Sequence, residues 1–335
     1  MRPLTAVGVP CAVLDWEELR AAGGQTHARF IPALWKIVRA NRGAVVFTDM
    51  SSAFLAVILF VAKLHGSPVF LRLRGDPFAE TRDQLQFHWR RREWPQLLRS
   101  IVSWFLDRPL FAAVDRFVPV SDWIVQRLDI QNRACVVRIP IPVESFPPRQ
   151  HREGRPVRLL SVTNFNYPQK IAALGRFLES YGGFLAAQEM TVTVAGTGIA
   201  WSSFRARHEK DAQFPGFIRD VAALYAEHDV FVHFSDLDAF PYVVLEAQAA
   251  GLPVIVNPAC GMLEQVEHGH NGFLTNLSDR PAVEALLLHL RDSSTLRAEF
   301  GARARQTITS RYALSAIGEN LRACLDGFTG STPPP

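Results

Sequence analysis

Apolar and polar positions fall into a repeated strand–helix alternation along the chain. In the first half, Val9–Leu14 reads as a strand with Pro10 at its start or edge. Ile31–Ala40 has helical spacing, Ala44–Thr48 is a second strand, Ala53–Leu64 a helix and Pro68–Leu73 a third strand. Unbroken apolar strands between helices of this length imply a parallel sheet covered on both faces. A long helical region rich in arginine and tryptophan follows. After it comes DRFVPVSDWIVQRL, a short strand feeding a helix that Ser121 or Asp122 can cap.

Prolines 140, 142, 147, 148 and 156 then mark an extended linker. Beyond it the alternation restarts: Val157–Val162 as strand, Ile171–Tyr181 as helix, and Met190–Ala195 as a strand ending in the glycine turn AGTG. Val221–Glu227 is a short helix, Asp229–Phe234 a strand, Pro241–Ala250 a helix and Val254–Val256 a strand. Helices at Ala282–Arg291, Leu296–Thr309 and Ala313–Asp326 close the chain. The class is α/β, with two doubly wound halves that predict a ligand in the cleft where strand C-termini meet. The expected organisation is a first domain over 1–145, a linker over 146–156 and a second domain over 157–310. A helix over 311–328 packs back across the domains and 329–335 is a tail.

Composition narrows the function classes. Across 335 residues, 48% apolar and 20% charged content is ordinary globular usage for two cores. The cysteines at 11, 135, 260 and 324 share no CxxC or Cys/His spacing, which argues against a disulfide framework or a zinc site and suits a reducing cytosol. No secretory signal opens the chain, and the longest apolar run, Ala53–Ala62, is too short to span a bilayer. Charge divides unevenly, with a net of +7 over residues 1–150 and −3 over 151–335. The excess gathers in FHWRRREWPQLLRSIVSWF, where Arg90, Arg91, Arg92 and Arg99 interleave with Trp89, Trp94 and Trp104. Such a surface suits an anionic membrane interface or an anionic ligand, or else is a solvated basic helix with tryptophan in the core. No motif of a nucleic-acid binder accompanies it.

The stretch DAFPYVVLEAQAAGLPVIV, Asp238 to Val256, places a carboxylate, Glu246, inside an almost wholly apolar run. Pro241 suits the first helical position, Gly251 lies just past the end, and Pro253 forbids continuation. A carboxylate on a buried helix needs charged or hydroxyl partners. A ribose diol is one such partner, and an internal salt bridge is another. Asp238, just before the helix, stands where first-turn N–H groups gather anions, or serves only the helix dipole.

This stretch resembles the acid–x7–acid signature of the retaining glycosyltransferases of family four, with Asp238 in place of the usual first glutamate. The Phe-Pro and the Ala-Ala-Gly-Leu-Pro-Val exit match as well. LYAEHDVFVHFS and FPGF before it, and NPACGMLEQVEHGHNGFL after it, resemble the family's flanking segments in order. SVTNFNYPQKIAAL resembles the loop that carries a basic pair, with Lys170 in the lysine position. VFLRLRGD, RFVPVSDWIVQRL and RIPIPVESFPP resemble segments of its first domain.

The resemblance implies a GT-B fold, two Rossmann-like domains with a cleft between them. It also implies transfer of a sugar, with retention, from a nucleotide-sugar donor to a glycan or lipid-linked acceptor. Asp238 would face the transferred sugar, Glu246 would hold the nucleotide ribose and Lys170 would neutralise the diphosphate leaving group, with no metal and no cofactor. Asn164, Phe240 and Pro241 would complete the donor side, and Arg74, Gly75 and Asp76 the acceptor side. A cytoplasmic protein, peripheral at the inner face of an anionic membrane and without a nucleic-acid partner, fits these readings.

The chain departs from the family in three places. Arg74 stands where the family has a histidine; it cannot act as a base at neutral pH but can clamp a phosphate or an acidic sugar. Thr163 or Asn164 stands where the lysine's usual arginine partner would be. No glycine-rich loop follows the first strand, Gly23–Gly24 being a poor substitute. The departures favour, as the alternative, a non-catalytic protein that binds sugar nucleotides or acts as a scaffold. Asp236-Leu237-Asp238 spells a DxD metal motif but lacks its expected flanks, and AGTG lacks dinucleotide-binding spacing. His65 and His233 read as core or surface residues.

Overall fold

The computed structural model describes residues 26–49, 52–148 and 156–329. The expected strand Val9–Leu14, Cys11 and Gly23–Gly24 lie outside them. The chain divides into two compact units, Met1–Arg138 with Gly318–Pro335, and Ile139–Ile317.

In the first unit the described elements are α1 (Thr26–Ala40), β1 (Val46–Thr48), α2 (Ser52–Leu64), β2 (Val69–Leu73), α3 (Pro77–Arg91), α4 (Trp94–Ala113), β3 (Arg116–Pro119) and α5 (Asp122–Leu128). The strands form a parallel sheet in the order β1-β2-β3, with Val46 beside Val69 and Phe70 beside Arg116. Their apolar runs are buried as predicted, Val69, Phe70, Phe117 and Val118 being wholly inaccessible. The arginine- and tryptophan-rich region is two helices rather than one. Arg92, in the left-handed region at φ 55°, ends α3, and Pro95 opens α4. Ser121, not Asp122, caps α5, its hydroxyl accepting from the Ile124 N–H.

The second unit carries β4 (Val157–Val162), α6 (Pro168–Ala187), β5 (Met190–Ala195), α7 (Trp201–His208), β6 (Gln213–Gly216), α8 (Val221–Ala226), β7 (Val230–His233), α9 (Tyr242–Ala249), β8 (Val254–Val256), α10 (Met262–Gln265), β9 (Phe273–Leu274), α11 (Arg280–Asp292) and α12 (Ser294–Arg311). The last described helix, α13 (Leu314–Thr329), begins in this unit and ends in the first. All strand pairs are parallel, in the order β6-β5-β4-β7-β8-β9. That is the dinucleotide-fold order, in which the chain winds outward from β4 and then reverses direction beyond it. Phe165, Leu174, Phe177, Val192, Val194, Val232 and Phe234 belong to the core packed around this sheet.

The division between units falls earlier than the proline count suggests. The Ile141 N–H donates to the Tyr312 carbonyl at 2.9 Å, and Arg305 donates to the carbonyls of Phe146 and Ala249. The described stretch from Ile141 to Phe146 is therefore anchored to the second unit. The short α7 and β6 were not expected, because WSSFRARH has no apolar stripe and QFPG is only four residues long. The cysteines are not all isolated: Cys135 and Cys324, far apart in sequence, are neighbouring free thiols.

Candidate active site

The candidate donor residues lie at the carboxyl ends of β4 and β7, the two strands between which the sheet reverses its winding. In open α/β sheets this switch point is where ligands bind. The loop after β4 leads into α6, whose first turn carries Lys170. A cation in the first turn of a helix opposes the macrodipole. The Tyr167 ring under it at 5.5 Å and an acid beside it offset that cost. The acid present is Asp238, from the loop after β7, whose Oδ1 lies 3.5 Å from Lys170 Nζ.

On the other side of that carboxylate is His233, the last residue of β7, with Nε2 3.5 Å from Asp238 Oδ2. The Asp238 side chain is 12% exposed and that of His233 only 4%. Burial by itself raises the carboxyl's pKa, but the adjacent His233 ring and the charge on Lys170 outweigh it and hold Asp238 below the usual carboxylate range. His233 is thus not merely the packed residue that its sequence context suggests. It stacks in parallel with Phe231 at 6.4 Å and presents its outer nitrogen to Asp238.

Glu246 sits in the middle of α9. Its partner is neither an arginine nor a lysine: the Tyr225 hydroxyl, from α8, donates to Oε2 at 2.9 Å. Burial pushes the Glu246 carboxyl up to about 7, with the tyrosine bond opposing the rise. Tyr225 is itself driven well above the ordinary phenol value, first by burial and then by the adjacent carboxyl. The carboxylate is therefore held half-buried and weakly satisfied, ready to accept from further hydroxyls.

Backbone packing fixes this arrangement. The Gly261 N–H donates to the Asp238 carbonyl at 3.2 Å, and a Cβ at Gly261 would overlap the Ala239 carbonyl. Only glycine lets the loop after β8 press this closely on the acid-bearing loop. Asn257 ties the same two loops, accepting from the Ser235 N–H and donating to its carbonyl, each at 2.9 Å. AGTG is a strand-to-helix bend, as expected, with Gly196 at φ 133° and Gly198 at φ 150° pressed against Thr163 and Asn166.

The remaining predicted residues divide into two groups. Asn164 accepts from the Asn166 N–H and so turns the loop before Lys170. Phe240 is buried with its ring tilted against Tyr312, while Pro241 is the N-cap residue of α9 rather than its first helical residue. These two seat the helix by packing and offer no exposed side chain to a ligand. Of the DxD pair, Asp236 is held in a two-bond ion pair with Arg176 at 2.6 and 3.0 Å. No cluster of metal-ligating side chains occurs among the described residues.

In the first unit, Arg74 is largely exposed and pairs with Asp49 at 2.9 Å. Asp76 does not offer itself to an acceptor. Its Oδ1 accepts from the N–H groups of Phe78 and Ala79 as the N-cap of α3, and its Oδ2 takes Arg127 at 3.1 Å. Gly75 lies directly under Glu80, whose Oε1 a Cβ there would meet.

Residues 156–292 match the family described as glycosyl transferases group 1. The viral protein ORF31 (isolate Australia/Victoria) is 22% identical over 286 residues, covering 82% of each chain. The GDP-mannose-dependent alpha-mannosyltransferase of Mycobacterium tuberculosis is 28% identical over 224 residues, 61% of this chain and a little over half, 56%, of that one. Among solved structures, Anabaena Alr3699/HepE in complex with UDP and glucose superposes with a TM-score of 0.65 at 16% identity, covering 88% of this chain and 81% of that one. The fold is that of the GT-B glycosyltransferases, and the sequence matches, with residues 156–292 similar to the glycosyl transferases group 1, support a glycosyltransferase.

Proposed function

We propose that the chain transfers a sugar from a nucleotide-sugar donor to a glycan or lipid-linked acceptor, with retention at the anomeric carbon and without a metal ion. The observation that carries this reading is the Lys170–Asp238 pair at the sheet's switch point, next to a helix that bears a weakly satisfied Glu246. A nucleoside diphosphate leaves as an anion. Lys170, together with the first-turn N–H groups of α9, is placed to stabilise that charge as it develops. Asp238, kept ionised by Lys170 and His233, faces the sugar. Glu246 accepts from the ribose hydroxyls in the place where it now has one tyrosine.

On the acceptor side, Arg74 is the exposed cation, and Asp76 holds the helix behind it. We read the protein as cytoplasmic, meeting a lipid-linked acceptor at the inner face of a membrane. No helix among the described residues is long and apolar enough to cross one. A second reading, sugar-nucleotide binding without transfer, draws on Arg74 standing where the resembled family has a histidine. A thermal-shift screen with UDP-, GDP- and ADP-sugars, followed by donor hydrolysis by the hits, separates the two. Binding with hydrolysis is the expected result. Binding alone favours the second reading, and no binding to any nucleotide removes both.

A further inference from the structure

The helix α4 is inside out. Its inward side carries Leu97 but also Ser100 and Asp107, all buried, and the Thr81 hydroxyl donates to Asp107 Oδ2 at 2.9 Å. Its outward side carries Trp94, Leu98, Ile101 and Phe105, at the i, i+4, i+7, i+11 spacing of one helix face, with Val102 and Pro109 beside them. Trp94 is 61% exposed, Leu98 63% and Phe105 73%. Isolated exposed apolar residues need no explanation, but a contiguous helix face of this kind marks a contact surface.

The charges around the face select its occupant. Arg99 and Arg108 lie exposed along its two edges, and Arg90, Arg91 and Arg92 are exposed at the adjoining end of α3. Between Trp89 and Ala113 the acids are Glu93 and Asp107. Glu93 is taken up by His88 and Arg91, and Asp107 is buried against Thr81. The rim therefore carries a net positive charge, Glu93 being offset by Arg91. A second copy of the chain would bring arginine rims together with no exposed acid of the face to meet them. The Trp89 and Trp94 rings, edge to face at 6.1 Å, are amphipathic groups of the sort that settle at a water–hydrocarbon boundary.

We propose that α4, with the arginine end of α3, docks the first unit on an anionic lipid surface. The helix lies in the plane of the headgroups with Trp94, Leu98, Ile101 and Phe105 in the acyl boundary and the arginines on lipid phosphates. This deepens the reading of a lipid-linked acceptor by naming the surface that meets the membrane. It is tested without any sugar transfer, so its failure leaves the donor site untouched.

The test is co-sedimentation of the full chain with sucrose-loaded vesicles, either of phosphatidylcholine alone or of phosphatidylcholine with phosphatidylglycerol. The chain is expected to bind the anionic vesicles, more weakly at high salt, and to bind the neutral ones poorly. Exposed-site variants should fold normally: Leu98→Ser with Phe105→Ser lowers partitioning by at least about tenfold, from the lost apolar burial. Arg99→Gln with Arg108→Gln weakens binding and flattens its salt dependence. Trp94→Phe removes part of the blue shift in tryptophan emission on vesicle addition. No sedimentation with anionic vesicles at low salt, or binding unchanged in the Leu98/Phe105 variant, overturns the proposal. So does light scattering that finds a dimer which this variant makes monomeric.

Discussion

The Tyr225 hydroxyl donates to Glu246 Oε2 at 2.9 Å across 21 residues, giving a half-buried acid a neutral partner instead of a cation. Because burial lifts that carboxyl to about 7, the folded protein binds a proton there that the unfolded chain releases near 4.5. The acid's contribution to stability is whole below the unfolded value and is lost as pH rises towards 7. Glu246→Gln should therefore be more stable than the parent at pH 8, by about 1–3 kcal/mol at the ~1.4 kcal/mol carried by each pKa unit, with the two curves converging near pH 4. Equal pH profiles in urea titrations would refute the assignment.

The same carboxyl predicts how donor binding responds to pH. A ribose diol is held best by the ionised form, so nucleotide-sugar affinity should rise from pH 5.5 to 8.5 and level off above 7. The diphosphate of a nucleotide sugar is esterified at both ends and does not itself titrate in this range. Calorimetry should find the slope absent in Glu246→Gln, and Glu246→Ala should bind more weakly at every pH.

Lys170→Ala should act mainly on turnover. Loss of one stabiliser of a leaving anion costs about 2–4 kcal/mol, so kcat is expected to fall by about 10²- to 10³-fold, with a smaller change in donor affinity. Unchanged donor kinetics in a folded Lys170→Ala protein would mean that the leaving group lies elsewhere.

Asp236 is predicted to be dispensable. Its carboxylate is engaged by Arg176 at the surface, an arrangement whose loss usually costs less than about 1 kcal/mol. Asp236→Asn should retain transfer, and EDTA should leave the rate unchanged. A strict metal requirement lost together with Asp236 would restore the DxD reading.

Gly261→Ala should damage the site from outside it. The added methyl meets the Ala239 carbonyl, so the loop bearing Asp238 must shift. Overpacking of this kind typically costs about 1–3 kcal/mol, and a larger loss in kcat than in melting temperature would show that the acid has moved.

Much of this was readable before the structure. The parallel sheets follow from apolar runs too continuous for a half-exposed strand, and α9 follows from its proline entry and glycine exit. Asp238, Glu246 and Lys170 stand in a pattern with recognisable spacing. Tyr225 and His233 do not, because each becomes a site neighbour only when separate elements pack together. Asp76 is legible as a cap: an Asp before Pro77, with Glu80 in the first turn, is a helix-start signature. The direction of the α4 face was hidden for a different reason. Periodicity reveals that an apolar face exists, whereas its outward orientation depends on Ser100 and the Thr81–Asp107 bond on the opposite side.

The strand order also bears on when the site comes into being during folding. Leu159 of β4 pairs with Val230 of β7 across the whole segment that forms β5, β6 and their helices. Closing so long a stretch of chain is entropically slow, and parallel pairing between sequence-distant strands comes late. Lys170 and Asp238, one from each side of that junction, are therefore expected to meet late in folding. Substitutions that slow β4–β7 pairing should delay the recovery of nucleotide binding behind the recovery of helical signal in refolding, so that binding serves as a clock for the last step of assembly.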